Sequence, residues 1–390
     1  MQIAKRKFTF DLNPKHIDFS AVFNNTKSML RKNAVMFIAL LAALITMIFV
    51  PIDAQYASYF DLKTLSCLFC VLAVVCAFKN INFFYMLAQA VVKKFKTARM
   101  CVIALVYITF IGSMLIANDM ALLTFLPLGY FVLSTTKSEK YMAFTFIMQN
   151  IAANLGGMLT PFGNPQNLYL YTKFNIHNAE FMIIMAPPFI ISIALITLLC
   201  MFIPSKELEF SGEKITVSAK RSIIYSILFA LSIAIVFRTI PYYLGLIVIP
   251  AALVFLDVKA LKSVDYPLLL TFVFFFIFAG NMGRIDAVRD FFCMLLDKNT
   301  LLFSILSCQF ISNVPSAILL SQFTENYKEL LLGVNIGGVG TLISSLASLI
   351  TFREYIKHNP KCALKYIAQF SLLNFTMLIV LTASMLIFFV

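Results

Sequence analysis

Residues 154–168 read NLGGMLTPFGNPQNL, and residues 335–349 read NIGGVGTLISSLASL. At a constant offset of 181, Asn154, Gly156, Gly157, Thr160 and Leu168 recur as Asn335, Gly337, Gly338, Thr341 and Leu349. Small or polar residues also coincide at Gly163/Ser344, Asn164/Ser345 and Asn167/Ser348. Upstream of each copy lies a second matched pair, Asn118-Asp119 and Asn313-Val314. Glycines, amides and hydroxyls inside apolar segments interrupt helices and uncover backbone, which hydrocarbon tolerates only where the break lines a cavity or is covered by protein. Two such breaks in corresponding halves point to the central binding site of a secondary transporter.

The composition agrees. Of 390 residues 61% are hydrophobic and 13% charged, with a mean hydropathy of +0.90; a soluble domain carries roughly twice that charge. The chain reads as an all-α integral membrane protein in contact with the lipid bilayer. The net charge of +13 does not indicate nucleic acid, because its basic residues sit in short loops between apolar runs. Cys67 and Cys70 form a CxxC inside an apolar helix with no ligand partner nearby, so they read as packing. The three histidines fall in expected loops. With no His-Glu-x-x-His and no second intramembrane aspartate, an enzyme is not expected, nor is a resident cofactor.

Apolar spans appear at 34–52, 62–79, 141–171, 180–203, 222–240, 243–256, 266–280, 328–352 and 366–390. Two pairs of shorter limbs, 100–117 with 119–134 and 300–312 with 314–323, meet at the polar pairs Asn118-Asp119 and Asn313-Val314 and read as re-entrant hairpins. With the N-terminus in the cytoplasm, 24 of the 31 Lys and Arg fall on the inner side and 7 outside, the asymmetry expected of a multi-pass protein of an inner membrane. Each half then reads span, span, surface-lying segment (81–97 or 284–298), hairpin, broken span, span. The extra span 222–240 flips the second half, making an inverted repeat. The expected organisation is a cytoplasmic N-terminal segment 1–33, a first transporter repeat 34–203, a cytoplasmic linker 204–221, and 222–390 holding the linking helix and the second repeat. The run Thr271–Phe278 reads as lipid-facing.

Asp119 is the one acidic residue placed well inside the membrane, with no lysine or arginine at its depth. Burial of such a charge without a partner is costly. Its expected partners are a cation, a proton or helix-end amides, and it also suits the N-terminus of the second hairpin limb. Asn118 and Asn313 at the tips offer amide acceptors and donors. The glycine breaks offer bare carbonyls to a hard cation, and the restarting half-helices offer N–H groups to an anion. The expected substrate and ion site therefore comprises Asn118, Asp119, Asn154, Gly156, Gly157, Thr160, Asn164 and Asn167 from the first half. Ser312, Asn313, Asn335, Gly337, Gly338, Thr341, Ser345 and Ser348 complete it from the second. Asn150 and Gln309, one turn before a break and a tip, read as equally structural or functional; Gln309 is placed to bond the hairpin backbone.

These residues resemble the ion transporter superfamily, which holds divalent-anion:sodium symporters (citrate and dicarboxylate carriers), arsenite permeases and certain sodium/proton antiporters. The resemblance runs from about residue 34 to the end. In the dicarboxylate carriers each tip is Ser-Asn-Thr; here the tips are Ala117-Asn118-Asp119 and Ser312-Asn313-Val314. The family's Gly-x-Pro-Pro-Asn turn is Gly163-Asn164-Pro165-Gln166-Asn167 here. The Asn-Asp tip is similar to the arsenite and antiporter branches. The resemblance implies a homodimer and elevator-type alternating access. The expected function is secondary transport of a small anion (carboxylate or oxyanion), with Na⁺ or H⁺ as coupling ion. A Na⁺/H⁺ antiporter and an arsenite or metalloid exporter are the alternatives, and a channel suits two opposed hairpins less well.

Overall fold

A computed structural model describes residues 33–207 and 217–389. The expected N-terminal segment, up to residue 32, and residues 208–216 of the expected linker lie outside them. The described chain is helical: α1 Ala34–Phe49, α2 Leu62–Asn80, α3 Phe83–Val92, α4 Ala98–Ile116, α5 Asn118–Thr135, α6 Met142–Gly156, α7 Pro165–Lys173, α8 Asn178–Cys200, α9 Ala219–Val236, α10 Tyr242–Leu256, α11 Val258–Lys262, α12 Tyr266–Gly283, α13 Asp286–Lys298, α14 Thr300–Ile311, α15 Asn313–Leu320, α16 Tyr327–Ile336, α17 Leu346–His358 and α18 Ala363–Phe389. Among the described residues six helices, α2, α4, α8, α9, α12 and the one containing α18, are long and apolar enough to cross a membrane. Their exposed faces carry Ile183, Ile190, Ile227, Leu372 and Ile379. An all-helical chain that turns apolar residues outward is suited to hydrocarbon, where each backbone group needs an internal partner.

Local sequence sets the helix starts. Asp61 accepts from Thr64 N at 2.9 Å, Asp265 from Leu268 N at 3.0 Å, and Asn299 from Leu302 N at 2.7 Å. Each side-chain oxygen satisfies an amide that a helix start leaves unpaired. Two interruptions have no such side-chain cap. The α4–α5 chain turns at Ala117 (φ 65°, ψ 150°) and the α14–α15 chain at Ser312 (φ 76°, ψ 159°). That backbone region is nearly reserved for glycine, yet both hairpins enter it at the same place, directly before the tip asparagine.

The core is built on α2, whose residues from Cys67 to Phe78 are nearly all buried, and on α6, buried from Thr145 to Gly156. Cys67 and Cys70 are buried free thiols, as packing residues would be. α12 packs along α1, with Asn281 Nδ2 donating to Thr46 Oγ1 at 3.2 Å. This narrows the reading of Thr271–Phe278 as lipid-facing: Thr271, Phe272, Phe275 and Phe276 are buried, and Val273, Phe274, Ile277 and Phe278 are half-buried. Spacings of three and four residues set these side chains on one stripe of α12, which a continuous run of phenylalanine conceals. The histidine reading also changes, since His358 closes the last turn of α17, stacked on Tyr130 with ring centroids 3.6 Å apart.

Polar contacts gather at two ends of the bundle. At one end Arg238 donates to Asn175 Oδ1 at 2.6 Å, Lys328 pairs with Glu180 at 3.2 Å, and Leu301 N donates to Glu329 Oε2 at 3.1 Å. Arg284 there pairs with Asp53 at 2.6 Å. At the other, Asn80 Nδ2 donates to Asp257 Oδ2 at 3.0 Å, Arg99 Nε to Ile203 O at 2.7 Å, and Ala98 N to Lys206 O at 2.8 Å. The helices α2, α8 and α10 run from one set to the other.

Candidate functional site

Both hairpins dock on the breaks through their main chains. Asn118 N donates to Gly163 O at 3.0 Å, and Asn313 N donates to Ser344 O at 2.9 Å. Beside each, the tip asparagine folds back: Asn118 Oδ1 accepts from Asp119 N and Asn313 Oδ1 from Val314 N, both at 2.9 Å. The break threonines secure the incoming limbs, with Thr160 Oγ1 donating to Met114 O at 2.7 Å and Thr341 Oγ1 to Gln309 O at 3.0 Å. Each contact in the first half has its counterpart in the second.

The glycines make this docking possible. A methyl group on Gly156 would stand 2.2 Å from Phe110 O and 2.7 Å from Ser113 Oγ; on Gly337 it would stand 2.8 Å from Cys308 Cβ. In sequence Ser113 relates to Cys308 as Asn118 does to Asn313. Their carbonyls, however, are not bare. Asn167 Nδ2 reaches Gly157 O, Met158 O and Thr160 O, each at 3.2 Å. Gln309 Nε2 reaches Gly337 O at 2.9 Å, and Ser344 Oγ reaches Gly338 O at 3.0 Å. A carbonyl keeps a second lone pair, but the breaks have their own donors because buried backbone oxygens need partners. Gln309 thus serves the break and not, as expected, the hairpin alone.

The two breaks also hold each other. Asn154 Oδ1 accepts from Asn118 Nδ2 at 3.2 Å and from Ser345 Oγ at 2.8 Å. Asn335 Oδ1 accepts from Asn164 Nδ2 at 3.2 Å and Gln166 Nε2 at 3.3 Å, while its Nδ2 donates to Asn167 Oδ1 at 2.6 Å. The pairs Asn154–Ser345 and Asn335–Asn164 exchange under the 181-residue offset. Asn150 Nδ2 adds a bond to Ser348 Oγ at 3.2 Å. All these residues are buried.

Five of the expected residues, Asn118, Asp119, Ser312, Asn313 and Ser345, line one cavity of about 750 Å³. The other eleven stand behind it as the supporting network or within the breaks. Gln166 also lines the cavity; the sequence reading passed over it between Asn164 and Asn167, although an amide in a polar turn was signal enough. Among the described residues, no lysine or arginine lines it. Asp119 also borders a second, narrower cavity that reaches Asp265.

Several buried side-chain oxygens here have no hydrogen-bond partner: Asp119 Oδ1, Asn164 Oδ1, Gln166 Oε1 and Asn150 Oδ1. Oxygen-only acceptors of this kind are the donor set of a hard cation. Asn118 Oδ1 takes the Asp119 amide, and no side chain caps the start of α5. Asp119 does lie in the first turn of α5, where the helix dipole favours a negative charge.

The sequence profile of the citrate transporter family matches residues 21–327. The chain is 35% identical over 296 residues to an uncharacterized transporter of Methanocaldococcus jannaschii, covering 75% of this chain and 80% of that one. It is 31% identical over 283 residues to the inner membrane protein YbiR of Escherichia coli, with coverages of 70% and 74%. A silicon efflux transporter of Oryza sativa matches at 30% over 176 residues, 44% of this chain and 35% of that one.

Proposed function

The chain belongs to the citrate transporter family and is a multi-pass membrane transporter, and we propose that it is a secondary carrier moving a small carboxylate or oxyanion with Na⁺ or H⁺. The observation that carries this is the shared cavity, in which two matched tips meet around Asp119 with no cationic side chain among the described residues of the lining. An anion about 5 Å from an ionised Asp119 would be repelled by roughly 3 kcal/mol at an effective dielectric of about 20. A co-bound cation, or a proton on Asp119, removes that penalty, and the unpartnered oxygens suit the former. Coupling then follows from charge balance at the site.

The proposed architecture is an inverted repeat with re-entrant hairpins, working by elevator-type alternating access in a homodimer of the inner membrane, with its N-terminus inside. In support, α4 begins at the end of the bundle where Arg99 meets Ile203, and α14 at the opposite end, where Leu301 meets Glu329. The matched docking contacts support it too. The repeats are 34–203 and the later part of 222–390, joined through 204–221.

The test is uptake into proteoliposomes from a panel of carboxylates and oxyanions, with Na⁺ and pH gradients imposed separately. Accumulation of one anion only under a cation gradient is expected; uptake indifferent to both gradients sinks the coupled reading. A second reading, cation/proton antiport or metalloid export, is favoured by the carboxylate at the first tip and by the relative named as a silicon efflux transporter. A dye-reported proton flux on adding Na⁺ without organic substrate, lost in Asp119→Asn, would select antiport.

A further inference from the structure

The shared cavity is far larger than its polar end requires. Its polar lining gathers around the tips and Gln166, with Thr271 and Ser307 elsewhere, whose hydroxyls are bonded to Pro267 O and Ser316 Oγ; the remaining walls are apolar, with Phe275 and Phe278 of α12, Phe292 of α13 and Phe303 of α14 among them. The rim is apolar as well. Ile38 is 64% exposed, Leu306 52% and Phe310 76%, and all three line the cavity. On α1 this rim continues into the exposed Leu41, Ile45 and Ile48, the outer face of a helix in a membrane protein. The mouth is therefore continuous with the surface that meets lipid.

A space of this size does not stay empty, since its walls would forgo their dispersion contacts. Water is a poor occupant, because a buried water needs two to four polar partners and the outer reach offers few. We propose that the cavity opens sideways into the bilayer and that an acyl chain of a membrane phospholipid fills its apolar reach, between α1 and α12 on one side and the α14–α15 hairpin on the other. The substrate is then confined to the polar end, and one wall of its compartment is lipid. This holds whatever the transported species is. It also places a fluid layer beside the second hairpin, along which that hairpin can slide without tearing packed side chains apart.

The chain contains no tryptophan, so a single introduced tryptophan reports without background. Phe275→Trp places the reporter on the cavity wall. Phe276→Trp, on the next residue, places it against Tyr169 and Phe272, away from the cavity. Each full-length variant is reconstituted into vesicles of phosphatidylcholine brominated along the acyl chain, and into unbrominated vesicles with aqueous iodide. The expected result is that bromolipid quenches Phe275→Trp several-fold more strongly than Phe276→Trp, while iodide leaves both untouched. Quenching of Phe275→Trp by iodide would show a water-filled cavity and overturn the proposal. Shielding from both quenchers would overturn it in favour of protein as the occupant, residues 1–32 being the adjoining segment. Phe278→Trp, also on the wall, repeats the measurement if Phe275→Trp does not fold.

Discussion

Ala117 and Ser312 hold a backbone conformation that costs about 1–3 kcal/mol for a residue with a side chain. The surrounding contacts impose it, because the following amide must reach Gly163 O or Ser344 O. Ala117→Gly should therefore raise the thermal unfolding temperature in detergent, by the equivalent of roughly 1 kcal/mol after the added backbone entropy of glycine is deducted, and Ser312→Gly by less, since it also deletes the hydroxyl bonds to Asn313 Oδ1 and Ser344 O. An unchanged or lower temperature in Ala117→Gly would mean that the turn is relaxed as it stands. Removal of the tip amides acts differently. Asn118→Ala deletes the bond to Asn154 and the acceptor for Asp119 N; Asn313→Ala deletes the acceptor for Val314 N. Each should abolish or severely weaken transport while folded protein remains in the membrane, and near-normal uptake would reduce that asparagine to a packing role. At this scale the sequence was informative wherever a polar residue interrupted an apolar run, as at Asn118, Asn154 and Asn335. It was silent on which oxygen meets which donor. Glycine carbonyls that look bare in sequence are covered by Asn167 and Gln309, from ten to twenty-eight residues away.

Among the elements, α7 is held at its C-terminal end by the chain between α9 and α10. The Arg238 guanidinium donates to Tyr171 O and Ile176 O and lies over the Tyr171 ring, 4.1 Å from its centroid. A fork-shaped cation suits the exposed carbonyls and negative dipole end of a helix. Arg238→Ala should destabilise by about 2 kcal/mol, given roughly 1.5–3 kcal/mol for a charged hydrogen bond. Amide exchange should accelerate over residues 165–173, and Arg238→Lys, lacking the fork, should not restore it; protection equal to wild type would refute the clamp. The Asp53–Arg284 pair makes a pH-dependent link between α12 and the chain after α1. The guanidinium holds the Asp53 carboxyl below its ordinary range, so its contribution is present above that range and is lost as pH falls through the lowered value. Arg284→Gln should flatten the acid limb of the unfolding curve, and an unaltered limb would assign that limb to other carboxylates. Helix boundaries were legible because apolar runs, Asp and Asn caps and the two polar interruptions coincide. The inward face of α12 was not, since eight consecutive residues rich in phenylalanine carry no visible polar side.

At the level of the whole molecule, the duplication in sequence reappears as a duplication of contacts. What the sequence could not supply was the crossing between halves. Asn154 to Ser345 and Asn335 to Asn164 span 191 and 171 residues, and no local period encodes such pairs. The proposed inversion has a direct test. A thiol introduced at Lys137 should react with a membrane-impermeant reagent only from the inside, and one introduced at Glu325 only from the outside. Reaction of both from one side would remove the inverted arrangement.

The docking bonds of the tips have a consequence for how such proteins diversify. Asn118 N to Gly163 O and Asn313 N to Ser344 O involve no side-chain atoms, so these bonds do not depend on which residue follows the tip asparagine. The position after the tip asparagine is aspartate in one half and valine in the other, yet both hairpins seat alike. Selection can therefore exchange what the tip presents to the cavity, charged for apolar, without relearning how the tip is held. Swapping the two, with Asp119→Val and Val314→Asp together, is the mutational path along which a change of cargo should come at the least risk to folding.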